Sequence, residues 1–239
     1  AGAPFPLLVA LAAAAAGDFF LAFDKPAILP LGILSFLLAQ LAYLVIFFGL
    51  WMFSGDNTPL WPRYAAMLAI AAALVVYLLW FWRDELKRWP VTGGIAVLAL
   101  FLSGALLPWF ILIAISASTA DEPLAWTAPQ ILGPLVLLVI ALALGWLRRE
   151  MGAIKLGGMV YGGAITIMAL QAMWLPWIGW PAMLGAVLFL TSDFVLSAEL
   201  FRLPPDAPVR RLTAPIVWWT YAAAQALIIT GVVLVVLQS

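Results

Sequence analysis

The chain is divided into apolar segments of the length that a helix needs to cross a lipid bilayer, about 20 residues. Proline, glycine and charged clusters separate these segments. Because backbone polar groups in hydrocarbon must be satisfied within the chain, each segment is predicted to be an α-helix. The expected fold is one all-α domain over residues 1–239, a polytopic transmembrane bundle of about eight helices. The candidate spans are residues 4–23, 27–53, 64–82, 91–116, 129–147, 154–175, 180–200 and 212–237.

Composition excludes several classes of protein. Hydrophobic residues make up 67% of the chain and charged residues 9%, against about 25% charged residues in soluble domains. The eleven basic and eleven acidic residues cancel, so no basic field is available to bind nucleic acid. Cysteine and histidine are absent, which removes thiolates, imidazole bases and the usual zinc ligands. We predict an integral membrane protein that requires no cofactor or metal, and in which any ion that binds is an oxygen-ligated hard cation. Its acid–base chemistry must use carboxylates, tyrosine, lysine or water.

Basic residues predict the orientation of the chain. With eight spans, alternate loops lie on one side of the membrane, and ten of the eleven basic residues fall in those loops. Only Arg63 falls on the other side. The positive-inside rule places the basic loops in the cytoplasm. We expect a multi-pass protein of the cell membrane, in a bacterium the inner membrane, with both ends of this chain on the side opposite the cytoplasm.

Two spans contain an aspartate in a matching local sequence, Gly-Asp-Phe at residues 17–19 and Ser-Asp-Phe at residues 192–194. A charge in hydrocarbon is costly, so an ionisable residue kept there is a functional candidate. Asp18 is seven residues before Lys25, and Asp193 is nine before Arg202. At the rise of a helix, both carboxyl groups lie roughly 10–13 Å inside the basic boundary.

Other polar residues lie in the same spans. Tyr161 is six residues after Lys155, about 9 Å inside the boundary, where its hydroxyl can donate a hydrogen bond at the level of the aspartates. Glu199 is expected to form an ordinary helical ion pair with Arg202. Each aspartate-bearing span is followed by a span with a glutamine and a tyrosine, so we interpret the first and last helix pairs as distant parallel repeats. The remaining polar candidates are Gln40, Tyr43, Ser192, Tyr221 and Gln225.

Five stretches carry a resemblance to a known family. They are AGDFFLA at residues 16–22, FLLAQLAY at 36–43, YGGAITIM at 161–168, GAVLFLTSDFVL at 185–196 and TYAAAQ at 220–225. In their order and spacing they make the chain similar to the YhhN family of membrane proteins, whose characterised members are lysoplasmalogenases. Two features differ. The family usually has histidine where this chain has Gln40, and it commonly has a helix with a Lys-Pro motif before the Gly-Asp span, whereas Lys25-Pro26 follows that span here.

The resemblance implies a hydrolase that cleaves the vinyl-ether bond of a lysoplasmalogen, a lysophospholipid drawn from the bilayer. The products are a fatty aldehyde and glycerophosphoethanolamine or glycerophosphocholine. Vinyl ethers open by protonation to an oxocarbenium ion that water attacks, and two carboxyl groups can serve this chemistry, one protonated and one ionised. We expect Asp18 and Asp193 to be the catalytic pair. The residues expected to bind substrate or orient water are Gln40, Tyr43, Tyr161, Ser192, Tyr221 and Gln225.

Two other functions fit the same residues. Paired aspartates inside a membrane are typical of proton relays, so a proton-coupled transporter of a small molecule or lipid is the main alternative. A lipid-binding or structural membrane protein, with aspartates that hydrogen-bond helices together, is the other. A transporter would show cargo-dependent uptake into vesicles, and a hydrolase would release aldehyde in detergent. In a structural protein, Asp→Asn changes would mainly lower stability.

Overall fold

The computed structural model describes residues 4–23, 27–53, 60–88, 153–204 and 206–238. Every regular element within these ranges is helical, as predicted. A single turn of 3₁₀-helix, Trp177–Gly179, precedes the sixth α-helix. The α-helices are α1 (Pro4–Leu21), α2 (Leu29–Phe53), α3 (Leu60–Phe81), α4 (Arg83–Arg88), α5 (Ala153–Ala172), α6 (Trp180–Phe201) and α7 (Arg210–Gln238).

Six of the eight predicted spans correspond to the long helices α1, α2, α3, α5, α6 and α7. The other two predicted spans, 91–116 and 129–147, lie outside the described residues. Two shorter apolar segments are Phe5–Leu21 and Val160–Ala172. In the described part, four segments are long and apolar enough to cross a membrane: Leu29–Met52, Trp61–Phe81, Trp177–Phe201 and Arg210–Gln238. These segments identify an integral membrane protein.

Large apolar side chains point outward from the bundle. Leu68 and Val76 on α3 and Trp218 and Trp219 on α7 each expose between 62% and 71% of their surface. Soluble proteins rarely expose apolar side chains in such density, whereas lipid tails solvate them at no cost. The outer surface therefore suits contact with hydrocarbon.

Close packing between α6 and α7, and between α1 and α2, forms the largest helix contacts in the described part of the chain. Gly231 shows how close α6 and α7 lie, because a Cβ atom there would stand 2.3 Å from the backbone nitrogen of Ala182. Small residues at such contacts let membrane helices gain van der Waals packing where no hydrophobic force drives them together. The largest fully buried apolar side chains where the helices meet are Tyr43, Phe47, Ile165, Met168, Phe189 and Ile228.

The two ends of α3 show how the helices alternate in direction. Near its start, Nη1 of Arg63 donates to the carbonyl oxygen of Trp174, just after α5, at 3.0 Å. Beyond its end, Asp84 accepts a hydrogen bond from Arg202, just after α6, at 2.5 Å. Thus α3 runs antiparallel to α5 and parallel to α6. The end of the bundle at which α3 and α6 finish carries Arg83, Lys87, Arg202, Arg210 and Arg211, and we call it the basic end.

The direction of α3 and α5 agrees with the predicted order of spans. The end of α3 and the start of α5 both lie at the basic end. The two spans predicted between them would cross the membrane and return, so the prediction requires these two ends to be on the same side. Arg63, predicted to be the one basic residue on the other side, lies at the opposite end of α3.

Candidate functional site

Asp193, in the second half of α6, is bonded to α5 and through it to α2. The hydroxyl of Tyr161 donates to Oδ2 of Asp193. Nε2 of Gln40, a side chain with 1% exposure, donates to the Tyr161 hydroxyl oxygen at 3.3 Å. This contact places the Tyr161 hydroxyl at the level of Asp193 along the bundle.

Asp18, near the end of α1, is bonded to α7. The hydroxyl of Tyr221 donates to Oδ2 of Asp18 at 2.8 Å. One turn later on α7, Oε1 of Gln225 accepts a hydrogen bond from the hydroxyl of Tyr43 on α2. Gln225 also interacts with Tyr221. Four residues from three helices therefore form a second connected series.

Gly17 explains why a small residue precedes Asp18. A Cβ atom at this position would lie 2.6 Å from the ring of Phe36 on α2, so a larger residue would push α1 away from α2. The Phe36 ring lies beside both tyrosines that hold the aspartates, with centroids 6.5 Å from Tyr161 and 6.1 Å from Tyr221. The Gly-Asp motif thus brings its carboxylate next to the ring that both tyrosines contact.

The two series meet in one layer of the bundle. The two carboxyl groups are close enough to interact electrostatically. Phe189 of α6 packs edge-on against Tyr43 and Tyr221, at centroid distances of 6.4 and 5.3 Å. Of the eight candidate site residues predicted from the sequence, seven form a side-chain hydrogen bond with another of the eight. We call them the polar layer: Asp18, Gln40, Tyr43, Tyr161, Asp193, Tyr221 and Gln225.

Ser192 is the predicted residue that the structure does not bring into the polar layer. Its buried hydroxyl donates to the carbonyl oxygen of Val217 on α7 at 2.9 Å. Neighbouring residues on a helix point in different directions, so the position beside Asp193 turns Ser192 towards another helix. Its contact ties α6 to α7.

Two amide atoms of the polar layer are buried without a hydrogen-bond partner among the described residues. They are Oε1 of Gln40, which can accept a hydrogen, and Nε2 of Gln225, which can donate one. Buried polar atoms are satisfied in most native structures, often by water. The layer therefore has the capacity to bind a water molecule or a ligand hydroxyl.

Two apolar pockets meet at Tyr161 and Asp193. The first, of about 490 Å³, we call the α3 pocket; it is bounded by Leu74, Tyr77, Leu78 and Phe81 of α3 together with α5 and α6. The second, of about 470 Å³, we call the α2 pocket; it is bounded by Leu29, Ile33 and Phe36 of α2 and by Leu21, Leu196 and Leu200. Both pockets have Asp193 in their wall, and neither has Asp18.

Comparison with known families identifies the chain. The model of the YhhN family matches residues 2–128 and 110–232. The chain belongs to the YhhN family. The resemblance found in the five sequence stretches is therefore confirmed. No curated protein and no solved structure matches this YhhN chain.

Tyr77 and Ser197 of this YhhN protein are site residues that the sequence prediction missed. They hydrogen-bond each other, Tyr77 also reaches the carbonyl oxygen of Phe194 at 3.3 Å, and the Tyr77 ring stacks on the Phe194 ring at 4.2 Å. Counting from the basic boundary would have found Tyr77, because it lies six residues before Arg83 just as Tyr161 lies six after Lys155.

The predicted ion pair between Glu199 and Arg202 is wrong. The Arg202 guanidinium turns to α4, where it bonds Asp84 and holds the pKa of that carboxyl below its usual value. Glu199 instead accepts a hydrogen bond from the hydroxyl of Thr213 at the start of α7. An exposed carboxylate on α4 lies beside the guanidinium, so tertiary packing overrides the helical spacing that suggested the pair.

Metal binding has no visible basis in the residues that the structure describes. Within those ranges, no three His, Cys, Asp or Glu side chains lie close enough together to hold an ion. The polar layer itself offers two carboxyl groups, three phenol hydroxyls and two amides. These groups can donate, accept and transfer protons.

Proposed function

We propose that this YhhN protein hydrolyses the vinyl-ether bond of lysoplasmalogens inside the membrane, releasing a fatty aldehyde and a glycerophospho-alcohol. The observation that carries the proposal is the position of Asp193. Its carboxyl group is held by Tyr161, interacts with a second carboxyl group, and forms part of the wall of two apolar pockets. An apolar lipid chain with a reactive group at one end fits such a site.

Asp193 is assigned as the proton donor because it lies in the wall of both pockets, whereas Asp18 lies in the wall of neither. Its Oδ2 accepts the Tyr161 hydrogen bond, which leaves Oδ1 able to carry the proton. The proton adds to the β carbon of the vinyl ether, the double-bond electrons form the new C–H bond, and an oxocarbenium ion results. Asp18 carries the negative charge that opposes this cation, as the second carboxylate does in glycosidases.

Water completes the reaction. Its oxygen bonds to the α carbon while one of its protons passes to a carboxylate. The resulting hemiacetal collapses when the bond from that carbon to the glycerol oxygen breaks. The hemiacetal hydroxyl becomes the aldehyde carbonyl, and its proton goes to the departing glycerol oxygen. Gln40 and Gln225 can orient the water through the amide atoms that have no partner in the described structure.

The test is release of fatty aldehyde from a lysoplasmalogen by the purified protein in detergent. Asp18→Asn and Asp193→Asn are compared with wild type, and Asp206→Asn, an exposed carboxylate beyond α6, is the matched control. A melting curve accompanies each variant. We expect aldehyde from wild type and the control, and at least a 100-fold loss in the other two at similar stability, the scale of general acid–base catalysis, about 10²–10⁴-fold.

Other results would reject the proposal. No aldehyde from folded wild type, together with cargo-dependent uptake into vesicles, would identify a proton-coupled transporter that uses the same aspartates. Full activity in both Asp→Asn variants with lowered melting temperatures would identify helix-bonding aspartates.

A further inference from the structure

Beyond Asp193, Ser197 on α6 and Arg202 just after α6 lie toward the basic end. Ser197 follows after one turn and Arg202 after nine residues, which puts them about 6 Å and 13 Å further along the axis. A lysophospholipid has its groups in a matching order, from the chain-linked oxygen to a hydroxyl and then a phosphate.

The Tyr77 and Ser197 pair suits a ligand hydroxyl. Ser197 donates its one hydrogen to the carbonyl oxygen of Phe194 at 2.9 Å. Tyr77 donates its hydroxyl hydrogen either to Oγ of Ser197 or to the same carbonyl oxygen. The pair therefore has lone pairs left and no hydrogen to give, so it recognises a donor. Ser197 lies in the wall of both pockets.

Arg202 stands at the rim of the α3 pocket. Its guanidinium carbon lies 5.5 Å from the centroid of the Phe81 ring, which is part of that pocket, and Nη2 donates to the carbonyl oxygen of Trp80 at 3.3 Å. Tyr77, one turn before Phe81 on α3, interacts electrostatically with both Arg202 and Asp193. Planar guanidinium groups bind phosphate with two parallel hydrogen bonds.

Asp84 already provides an anion at this guanidinium, at 2.5 Å. The exposure of the two partners is unequal: 57% of the Asp84 side chain is exposed, against 13% for Arg202. An exposed carboxylate on the short α4 can turn into water while the guanidinium stays against the pocket rim. The Asp84 carboxylate therefore marks a position beside Arg202 that an oxyanion of a ligand can occupy in its place.

We propose that Tyr77, Ser197 and Arg202 form the subsite for the glycerophosphate part of a lysophospholipid, with the hydroxyl at the Tyr77 and Ser197 pair and the phosphate at Arg202. The inference rests on the proposed function, since it assigns the headgroup side of the same substrate. In this arrangement the ether end lies at Asp193, the chain fills an apolar pocket, and Asp84 competes with the phosphate for Arg202.

The test measures binding without turnover. The probes are a saturated alkyl-ether lysophosphoethanolamine, which has no vinyl ether, and the alkylglycerol of the same chain length, which has no phosphate. We expect Arg202→Gln to weaken binding of the lysophospholipid by about 10- to 100-fold and to change alkylglycerol binding little. Asp84→Asn should strengthen lysophospholipid binding. Arg211→Gln, which removes an exposed charge at the basic end, is the matched control and should do neither.

Tyr77→Phe tests the hydroxyl position, because it keeps the ring stacked on Phe194. It should weaken lysophospholipid binding by about 3- to 10-fold and leave binding of the 2-deoxy analogue unchanged. Inorganic phosphate should not compete with the lysophospholipid; strong competition would assign Arg202 to a free anion and overturn the lipid subsite.

Three results would overturn the subsite. Arg202→Gln could weaken binding of both probes equally, it could weaken binding of neither, or Arg211→Gln could have the same effect as Arg202→Gln. If Arg202→Gln does not fold, Asp84→Asn decides, since unchanged or weaker lysophospholipid binding contradicts the proposal. Failure of the hydrolase proposal gives a different pattern. In that case aldehyde is absent while binding of the lysophospholipid still depends on Arg202.

Discussion

Gly231→Ala should destabilise the bundle because it forces α6 and α7 apart. The added Cβ would lie 2.3 Å from the nitrogen and 2.6 Å from the Cβ of Ala182, where ordinary contacts begin at 3.4 Å. Two of the three nearest atoms are backbone, so no change of rotamer relieves the overlap. The helices must separate by about 1 Å in an interior packed as densely as a crystal.

The magnitude follows from two opposing effects. Overpacking of this kind costs about 1–3 kcal/mol, and replacing a mid-helix glycine by alanine returns about 0.5–1 kcal/mol. The net loss relative to wild type is about 0–2.5 kcal/mol, which for a chain of this size lowers the melting temperature by at most about 10 °C. Gly49→Ala on α2 is the matched control, because its added Cβ would have no atom of the described residues within 4 Å.

The assay is thermal unfolding of both purified variants in the same detergent, followed by loss of helical circular dichroism. We expect Gly49→Ala to melt at or above the wild-type temperature, since only the propensity gain applies. A Gly231→Ala protein as stable as the Gly49→Ala protein would refute the close contact between α6 and α7.

Three further outcomes are expected. Tyr161→Phe should lower aldehyde release per folded molecule by about 10- to 100-fold and lower stability by about 1–3 kcal/mol, because it removes the buried hydrogen bond to Asp193 and keeps the ring. Arg63→Ala should lower stability by about 1–3 kcal/mol with unchanged activity per folded molecule, because its contact lies at the end opposite the basic end. Single cysteines can be placed at Asp206 and at Trp177, which are both exposed in this cysteine-free chain. Impermeant maleimide should label the first from the cytoplasmic side and the second from the opposite side. Labelling of both from one side would refute the predicted orientation.

Depth along a helix could be predicted from sequence because charge marks where a membrane helix ends. Counting residues from the basic boundary put Asp18, Asp193 and Tyr161 at one level, and the structure joins Tyr161 to Asp193 and places the carboxyl groups within interaction distance. The same count would have included Tyr77, which lies in a span without an aspartate to draw attention to it.

Rotation about each helix axis could not be predicted, because these helices are apolar on all sides and no polar face shows which side is inside. Ser192 illustrates this, since its neighbour Asp193 lies in the polar layer and Ser192 itself bonds α7. The pairing of Tyr221 with Asp18 depends on contact between the first and last helices, 203 residues apart. Such a contact leaves no local pattern in the sequence.

The bonds within the polar layer show that the two aspartate motifs are not two separate sites. If the first and last helix pairs were self-contained repeats, each aspartate would be bonded to the helix that follows it. Asp18 is instead bonded to Tyr221 on α7, and Asp193 reaches Gln40 on α2 through Tyr161. Asp18 is held by the helix that follows Asp193, whereas Asp193 is held by α5 and reaches the helix that follows Asp18 only through Tyr161. The hydrogen bonds of the polar layer therefore form only when both ends of the chain have packed together.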